Sequence, residues 1–512
     1  MIKLMGGYGQ MNGKQKISLG LSAALLLSVV TACSKNDPPP PAANGANDTG
    51  PIKLLYTKGG FEKAPDGNPI KDAIEKGSGV KFDMVSPPSA NYADQVPVIL
   101  ASNDKPDVAV MPTSQAVFDY AKQGALLDLK PYLKLMPDVE KSVPKEALDY
   151  FTVDGKLWAI PIWTSPYRYN FVMRGDWLKK LNLQVPKTLD ELHNVLVAFT
   201  EKDPDGNGVK DTYGFSGLGL DSLDGIFGAF GVVAGDAPWV TPTKASVYFT
   251  EQNGKLIPQT TRPEAKEALT VLAKWYQEGL IDPEMFTQTS AVRDEKFVKN
   301  RYGVSANWWT WESNQEVTMK KSDPNVQLLR IAPPIGPRGE SGMRGTPLVA
   351  RGVVVLGNTK HPEAAAKFMN YFNSDEGGMN TYTGIEGIQW EKKDGKIYTT
   401  PQFDKDSKWI QWYSLFENEA PLLKVETYAV QSRRDAFNWK VIKNAADLMN
   451  TQAELKYSAD LRGLTADYYA RFITGKTPLS DFDKYVQEFN KRGGQEWTDE
   501  VNKIYQERKA KK

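Results

Sequence analysis

Two hydrophobic patterns divide the chain. The first is a single apolar run from Ile17 to Val30, preceded by Lys14 and Lys16. About 14 residues is shorter than the roughly 20 that cross a bilayer, so the run reads as the apolar part of an export signal, not as a membrane helix. The second pattern begins at Ile52 and is short and interrupted. Residues 52–56 pattern as a strand, 68–76 as a helix ended by Gly77, and 80–85 as a second strand with Val80, Phe82 and Met84 on one face. A helix over 92–101 and a short buried strand over 107–111 follow. This β-α-β-α-β order with short loops predicts a mainly parallel sheet covered by helices. Further helices are predicted over 177–181, 189–200, 264–278 and 362–372, and a buried strand over 353–356. Pro263 and Gly279 bracket the third of these helices, as start and stop signals do. From Gln452 onward the tail is helical, amphipathic and charged.

Composition narrows the class. The chain has 512 residues, and roughly 480 remain once a signal is removed, which suggests two or three domains or lobes. With 63 basic and 62 acidic side chains the net charge is +1, so no polyelectrolyte partner is implied and nucleic acid is excluded as a ligand. Cys33 is the only cysteine, so no internal disulfide forms and the fold must hold by burial. Thirteen Trp, 22 Tyr and 20 Phe exceed what a core needs and suggest a ligand with apolar faces. Between signal and fold, residues 34–51 contain Pro38 to Pro41 in a row and read as an extended tether.

Val30-Thr31-Ala32-Cys33 resembles the lipobox of bacterial lipoprotein signal peptides. The resemblance implies cleavage before Cys33 and a diacylglycerol on its thiol, hence an extracytoplasmic protein lipid-anchored to the cell membrane. Met11 is then the plausible start of translation.

Seven stretches, in order, carry a wider resemblance: Lys105 to Val110, Gly124 to Leu129, Asp154 to Pro161, Tyr169 to Leu178, Pro186 to Leu192, Phe297 to Trp309, and His361 to Gly377. Together they make the mature chain similar to bacterial extracellular solute-binding proteins of the maltose-binding-protein type, the receptors of ABC importers. Within that group it is most similar to the large LplA-like and alginate-oligosaccharide-binding lipoproteins. The resemblance implies an α/β, two-lobed periplasmic-binding-protein-like fold with a ligand cleft between the lobes. One lobe would comprise 52–162 and 340–395, the other 163–339 and 396–512, with crossovers near 160–169, 332–348 and after Trp390. It also implies a monomer, an oligosaccharide or other small polar solute as ligand, and ABC permease subunits as partners.

The sharpest local motif is Asp203-Pro-Asp205-Gly-Asn207-Gly-Val209-Lys-Asp211. Oxygen-bearing side chains at positions one, three, five and nine, glycine at six and a carbonyl from Val209 at seven match the spacing of a calcium loop. Position twelve is Gly214 where a bidentate glutamate is usual, and the alginate-binding relatives place an acid where Thr212 stands. Calcium in a structural role is the expectation, with a plain Asp/Asn/Gly turn as the alternative.

Trp308, Trp309 and Trp311 follow a predicted strand, and in the maltose-binding type this segment lays an aromatic ring on bound sugar. Alternation would put Trp309 and Trp311 on one face and Trp308 on the other. Trp163, Tyr167 and Arg168 at the first crossover, and Glu386 and Trp390 around the loop 384–387, complete the candidate contacts. Trp412 and Trp439 are expected in the core, and His193 and His361 in structural roles. No metalloprotease, phosphate-loop or nucleophile-elbow motif is present. A secreted glycoside hydrolase or lyase, its paired carboxylates assembled only in space, is the competing function. A surface adhesion lipoprotein is the third.

Overall fold

The computed structural model describes residues 51–163, 169–234, 247–308, 311–416, 421–427, 430–431, 434–435 and 437–510, without the side chains of residues 350 and 422. The signal segment and Cys33 lie outside these residues.

Two sheets organise the chain. The first has the strand order 82–85, 52–55, 108–110, 349–355, 160–163. Ile52–Leu55 pairs in parallel with both Phe82–Val85 and Val108–Val110. Val349–Val355 runs antiparallel to Val108–Val110 and to Ile160–Trp163. The sheet is therefore mixed, not mainly parallel, because its fourth strand arrives from far along the chain and enters from the opposite end. Leu54, Leu55, Val108 to Met111 and Val353 to Val355 are all buried and form the floor of this core. Phe82 and Phe368 meet above it with ring centroids 5.0 Å apart.

Local signals set the first helix. The Asn68 side chain accepts from the Lys71 amide at 3.1 Å, Pro69 needs no amide partner in the first turn, and Gly79 ends the helix at φ 69°. The helix thus runs past Gly77. That glycine answers to packing instead: a Cβ there would lie 2.2 Å from the Tyr371 ring.

Residues 409–416 were assigned to the second lobe from the sequence, but they pack elsewhere. Trp409, Ile410, Trp412, Tyr413, Leu415 and Phe416 belong to the first core. Tyr56 donates its hydroxyl to the Ser414 carbonyl at 2.7 Å, and Asn68 donates to the Tyr413 hydroxyl at 3.2 Å. So apolar a stretch must be buried, and the first core supplies both the apolar surface and these polar partners.

The second sheet has the order 328–331, 169–174, 302–308, 213–215. Tyr169–Arg174 is antiparallel to both its neighbours, and Tyr302–Trp308 is parallel to Tyr213–Phe215. The helix Leu189–Glu201 covers it, started by a reciprocal cap in which Thr188 Oγ1 accepts from the Glu191 amide and Glu191 accepts from the Thr188 amide. Phe199 from this helix meets Trp177 edge-on at 5.2 Å and lies over Gly303, where a Cβ would come within 2.1 Å of its ring. The C-terminal helices Gln452–Ile473, Phe482–Phe489 and Gln495–Ala510 add Tyr469, Phe472, Tyr485 and Trp497 to this second core.

The chain leaves the first sheet at Trp163 and enters the second at Tyr169; it returns between Ile331 and Val349. On the way back Met343–Arg344 pairs in parallel with Val441–Ile442. Arg344 is 2% exposed. It holds Asp221 at 3.2 Å and Asp224 at 3.1 Å, and its guanidinium lies 4.7 Å from the centre of the Tyr169 ring. A charge so buried is tolerable only when paired, so this cluster pins the returning segment to the second sheet.

Candidate ligand cleft

Strand directions locate the site. The carboxyl ends of 52–55, 108–110 and 160–163 lie at one end of the first sheet, together with the start of 349–355. The chain crosses between the sheets at this end. In open α/β sheets, ligands bind outside the carboxyl ends of the strands.

Trp163, half-buried against the first core, closes its strand opposite Val349. At the matching edge of the second sheet, Trp308 ends its strand opposite Tyr169. The two rings meet at right angles, 5.7 Å apart, and Trp308 keeps part of its surface open. Asn170, next in the strand, donates to Glu312 Oε2 at 3.2 Å, and Glu312 Oε1 takes the Arg330 guanidinium at 2.8 Å.

Tyr167, Arg168 and Trp309 lie outside the described residues. Trp311 is described, and the expected alternation does not reach it. The strand stops at Trp308 and Trp311 opens the helix Trp311–Met319. Its ring is buried 4.8 Å from Phe297, beneath the Arg293 guanidinium, and its indole N–H donates to Asp294 at 2.7 Å. Trp390 is likewise turned inward, donating to the Gly384 carbonyl at 2.7 Å. Both rings are spent on packing, so they are corrected from ligand contacts to core residues. Glu386 is exposed and lies 3.7 Å from the Lys392 ammonium. Trp412 is core, and Trp439 is half-buried. His193 bonds Glu278 at 2.6 Å and stacks on Trp275, a structural placement, and His361 caps no side chain onto the helix it precedes.

Sequence reasoning missed Arg344 and Arg351. Only one signal was available: Arg351 is the single charged residue between Arg344 and Lys360, in an otherwise apolar strand.

The 203–211 loop coils around its acids. Asp203 has φ 44° and accepts from the amides of Gly206, Asn207 and Gly208 at 2.9 to 3.1 Å. Burial works to raise its pKa, but these amides and a hydrogen bond shared with Asp205 outweigh it and hold the carboxyl below the usual range. Asp205 moves the other way, raised by burial, by Asp203 and by the nearby Asp211 charge. Its Oδ1 is buried without a hydrogen-bond partner among the described residues. Asn207 points its amide N–H at Asp205, 2.9 Å, and at Asp211, 3.3 Å. Three clustered acids, one of them raised by the charges of its neighbours and left with an unmatched oxygen, are a donor set suited to a hard cation. Arg301 already pairs with Asp211, and Lys180 donates to the carbonyls of Asp203 and Pro204. Among the described residues no group of three or more His, Cys, Asp or Glu side chains has a ready metal-holding arrangement, so the loop fits calcium only with the help of Asn207 and the Val209 carbonyl.

Comparison with known proteins agrees with this architecture. The chain is 29% identical over 516 residues to the lipoprotein LipO of Bacillus subtilis, covering 96% of this chain and 98% of that one. It is 24% identical to the polygalacturonan/rhamnogalacturonan-binding protein YtcQ of the same organism, covering 98% and 100%. It is 25% identical to the fructooligosaccharide ABC transporter substrate-binding protein FusA of Streptococcus pneumoniae, covering 88% and 89%. Among solved structures, the alginate-binding protein AlgQ2 without calcium ion superposes with a TM-score of 0.65 at 21% identity, over 90% of this chain and 98% of that one, and so shares the fold. Residues 63–379, more than half of the chain, match a single family. That family, YtcQ and FusA are solute-binding proteins, not enzymes, which removes the hydrolase or lyase reading. Two α/β lobes joined by crossovers, matched through the first lobe and most of the second, make this chain a member of the bacterial extracellular solute-binding protein family.

Proposed function

We propose that this protein is the lipid-anchored substrate-binding component of an ABC importer and captures an oligosaccharide between its two lobes. The observation that carries the reading is the perpendicular Tyr169–Trp308 pair at the crossover edge, with Trp308 partly open. A flat ring takes the C–H face of a pyranose, and the polar residues beside it take the hydroxyls. Trp163, Tyr167, Arg168 and Trp309 are the further contacts proposed, with Glu386 at the rim. The relatives YtcQ and FusA, named for the saccharides they bind, support a sugar, and FusA supports the transporter. Capture works because the ligand touches both lobes only when they close, so binding shifts the population toward the closed form for a permease to recognise.

A thermal-shift screen against defined oligosaccharides tests this. A true ligand at 100 times its dissociation constant adds about 2.7 kcal/mol of stability. A panel that includes acidic and neutral sugars and yields no shift refutes the sugar.

The anchor belongs to the same proposal. Cys33 is the only thiol available for acylation, and the LipO name of a full-length relative supports it. Cys33→Ala should move the protein from the membrane to the soluble fraction; equal partitioning of the two forms would exclude the anchor. Calcium in the 203–211 loop, held by Asp203, Asp205, Asn207, Asp211 and the Val209 carbonyl, is proposed as a structural ion. The comparison with AlgQ2, whose structure was determined without its calcium, supports it.

A further inference from the structure

Arg351 sits on the returning strand opposite Ile162, at the end of the first sheet where the chain crosses over. The register slips between Val349 and Arg351. A bulge of this kind re-aims a side chain, and bulges are frequent beside binding sites. Gly352, the next residue, faces Val117, Phe151 and Ala159. Alternation therefore puts Arg351 on the other face of the sheet. The Tyr92 hydroxyl is held by the carbonyls of Leu55 and Val110 at the carboxyl ends of two strands. Burial raises the Tyr92 pKa, and the Arg351 charge is the nearby group that opposes the rise. By its register, one residue before the end of the 160–163 strand, Arg351 sits beside these strand ends.

It is also alone. Arg351 is half-buried, yet among the described residues no carboxylate or carbonyl pairs with it. Arg174, Arg262, Arg293, Arg330, Arg344 and Arg434 are buried to a similar or greater degree, and each holds a carboxylate. A guanidinium cannot shed its charge at ordinary pH, and a partly desolvated charge without a counter-charge costs stability. A ligand carboxylate arriving in the cleft matches its fork with two parallel hydrogen bonds. Trp308, partly open on the second sheet at the same crossover and braced by Tyr169, supplies an apolar face for the ring that bears the carboxylate.

We infer that Arg351 binds a carboxylate of the ligand, so that the transported saccharide is acidic and contains uronic acid residues. The inference rests on the oligosaccharide reading given above.

Titration calorimetry on the mature chain, residues 33–512, tests it with trigalacturonic acid and trimannuronic acid, each paired with its neutral methyl ester, and with cellotriose as a neutral sugar. Charge-assisted hydrogen bonds predict that the wild type prefers one acid over its ester roughly tenfold to a hundredfold. Arg351→Gln should erase that preference while its melting temperature holds, and Arg351→Lys should restore part of it. Equal binding of acid and ester by the wild type, or a preference that survives in Arg351→Gln, overturns the inference and leaves the sugar reading standing. A wild type that binds cellotriose but neither acid does the same. If no saccharide of the set binds, both fall together.

Discussion

Arg344 and Arg351 lie on the same returning segment and have opposite environments. Arg344 is almost wholly buried, flanked by Asp221 and Asp224 and stacked on Tyr169. Arg351 is half-buried, and no counter-charge meets it among the described residues. A buried charge that the protein neutralises itself is architecture, since its counter-charges are in place before any ligand arrives. A charge left over at the end of a sheet is unfinished until something else supplies the anion. Burial alone does not separate the two cases; the state of the partners does.

The comparison can be broken most directly at Arg344. Arg344→Met strands two buried carboxylates, and loss of one member of a buried charge cluster costs about 3–5 kcal/mol. Chemical denaturation should show that loss; an unchanged midpoint would mean that Arg344 pins nothing. Next is the 203–211 loop, proposed above to hold calcium. Saturating calcium at 100 times its dissociation constant should stabilise the stripped protein by about 2.7 kcal/mol, seen as a higher melting temperature. Asp205→Ala should remove that dependence, and a calcium-independent melting curve in the wild type would leave a plain turn. Third, Trp308→Ala should weaken the screened saccharide by about 2 kcal/mol, roughly thirtyfold, without unfolding the protein. Normal binding would make Trp308 another packing residue like Trp311. The smallest effect is the most telling. Without ligand, Arg351→Gln should change stability by no more than about 0.5 kcal/mol. A large loss would show that Arg351, like Arg344, already has its partner within the fold.

Local chemistry made part of this structure legible. The 92–101 helix has the bounds its pattern predicts, and Thr188 with Glu191 marks the start of the helix that follows. Misreadings arose where a residue answers to a distant neighbour. Gly77 looked like a helix stop but makes room for Tyr371, and the stop is Gly79. Trp311 looked like a strand residue continuing an alternation, but a helix begins there and turns the ring toward Phe297. Arg344 was not singled out because its partners, Asp221 and Asp224, lie more than a hundred residues upstream and nothing local announces them. In the candidate cleft, the chain crosses at 163–169 and 331–349, where the family resemblance put the crossovers, whereas Trp311 of the aromatic cluster is core and Trp309 lies outside the described residues. The guanidinium at the sheet end was not legible, because its significance lies in which carboxylates fail to reach it.

The fourth strand of the first sheet also sets a clock. Val108–Val110 has one edge uncovered until Val349–Val355 exists, and residues 111–348 lie between them. At about 5–20 residues per second, a ribosome needs roughly 12–50 s to bridge that gap. Throughout that interval the first core lacks its fourth strand and cannot close, however favourable its local helices are. For a member of an extracellular family, such a delay would leave the leading half of the chain unfolded while export begins. Shortening the wait, by a permutation that moves 349–355 next to 108–110, would give a protein that folds sooner and is exported less well.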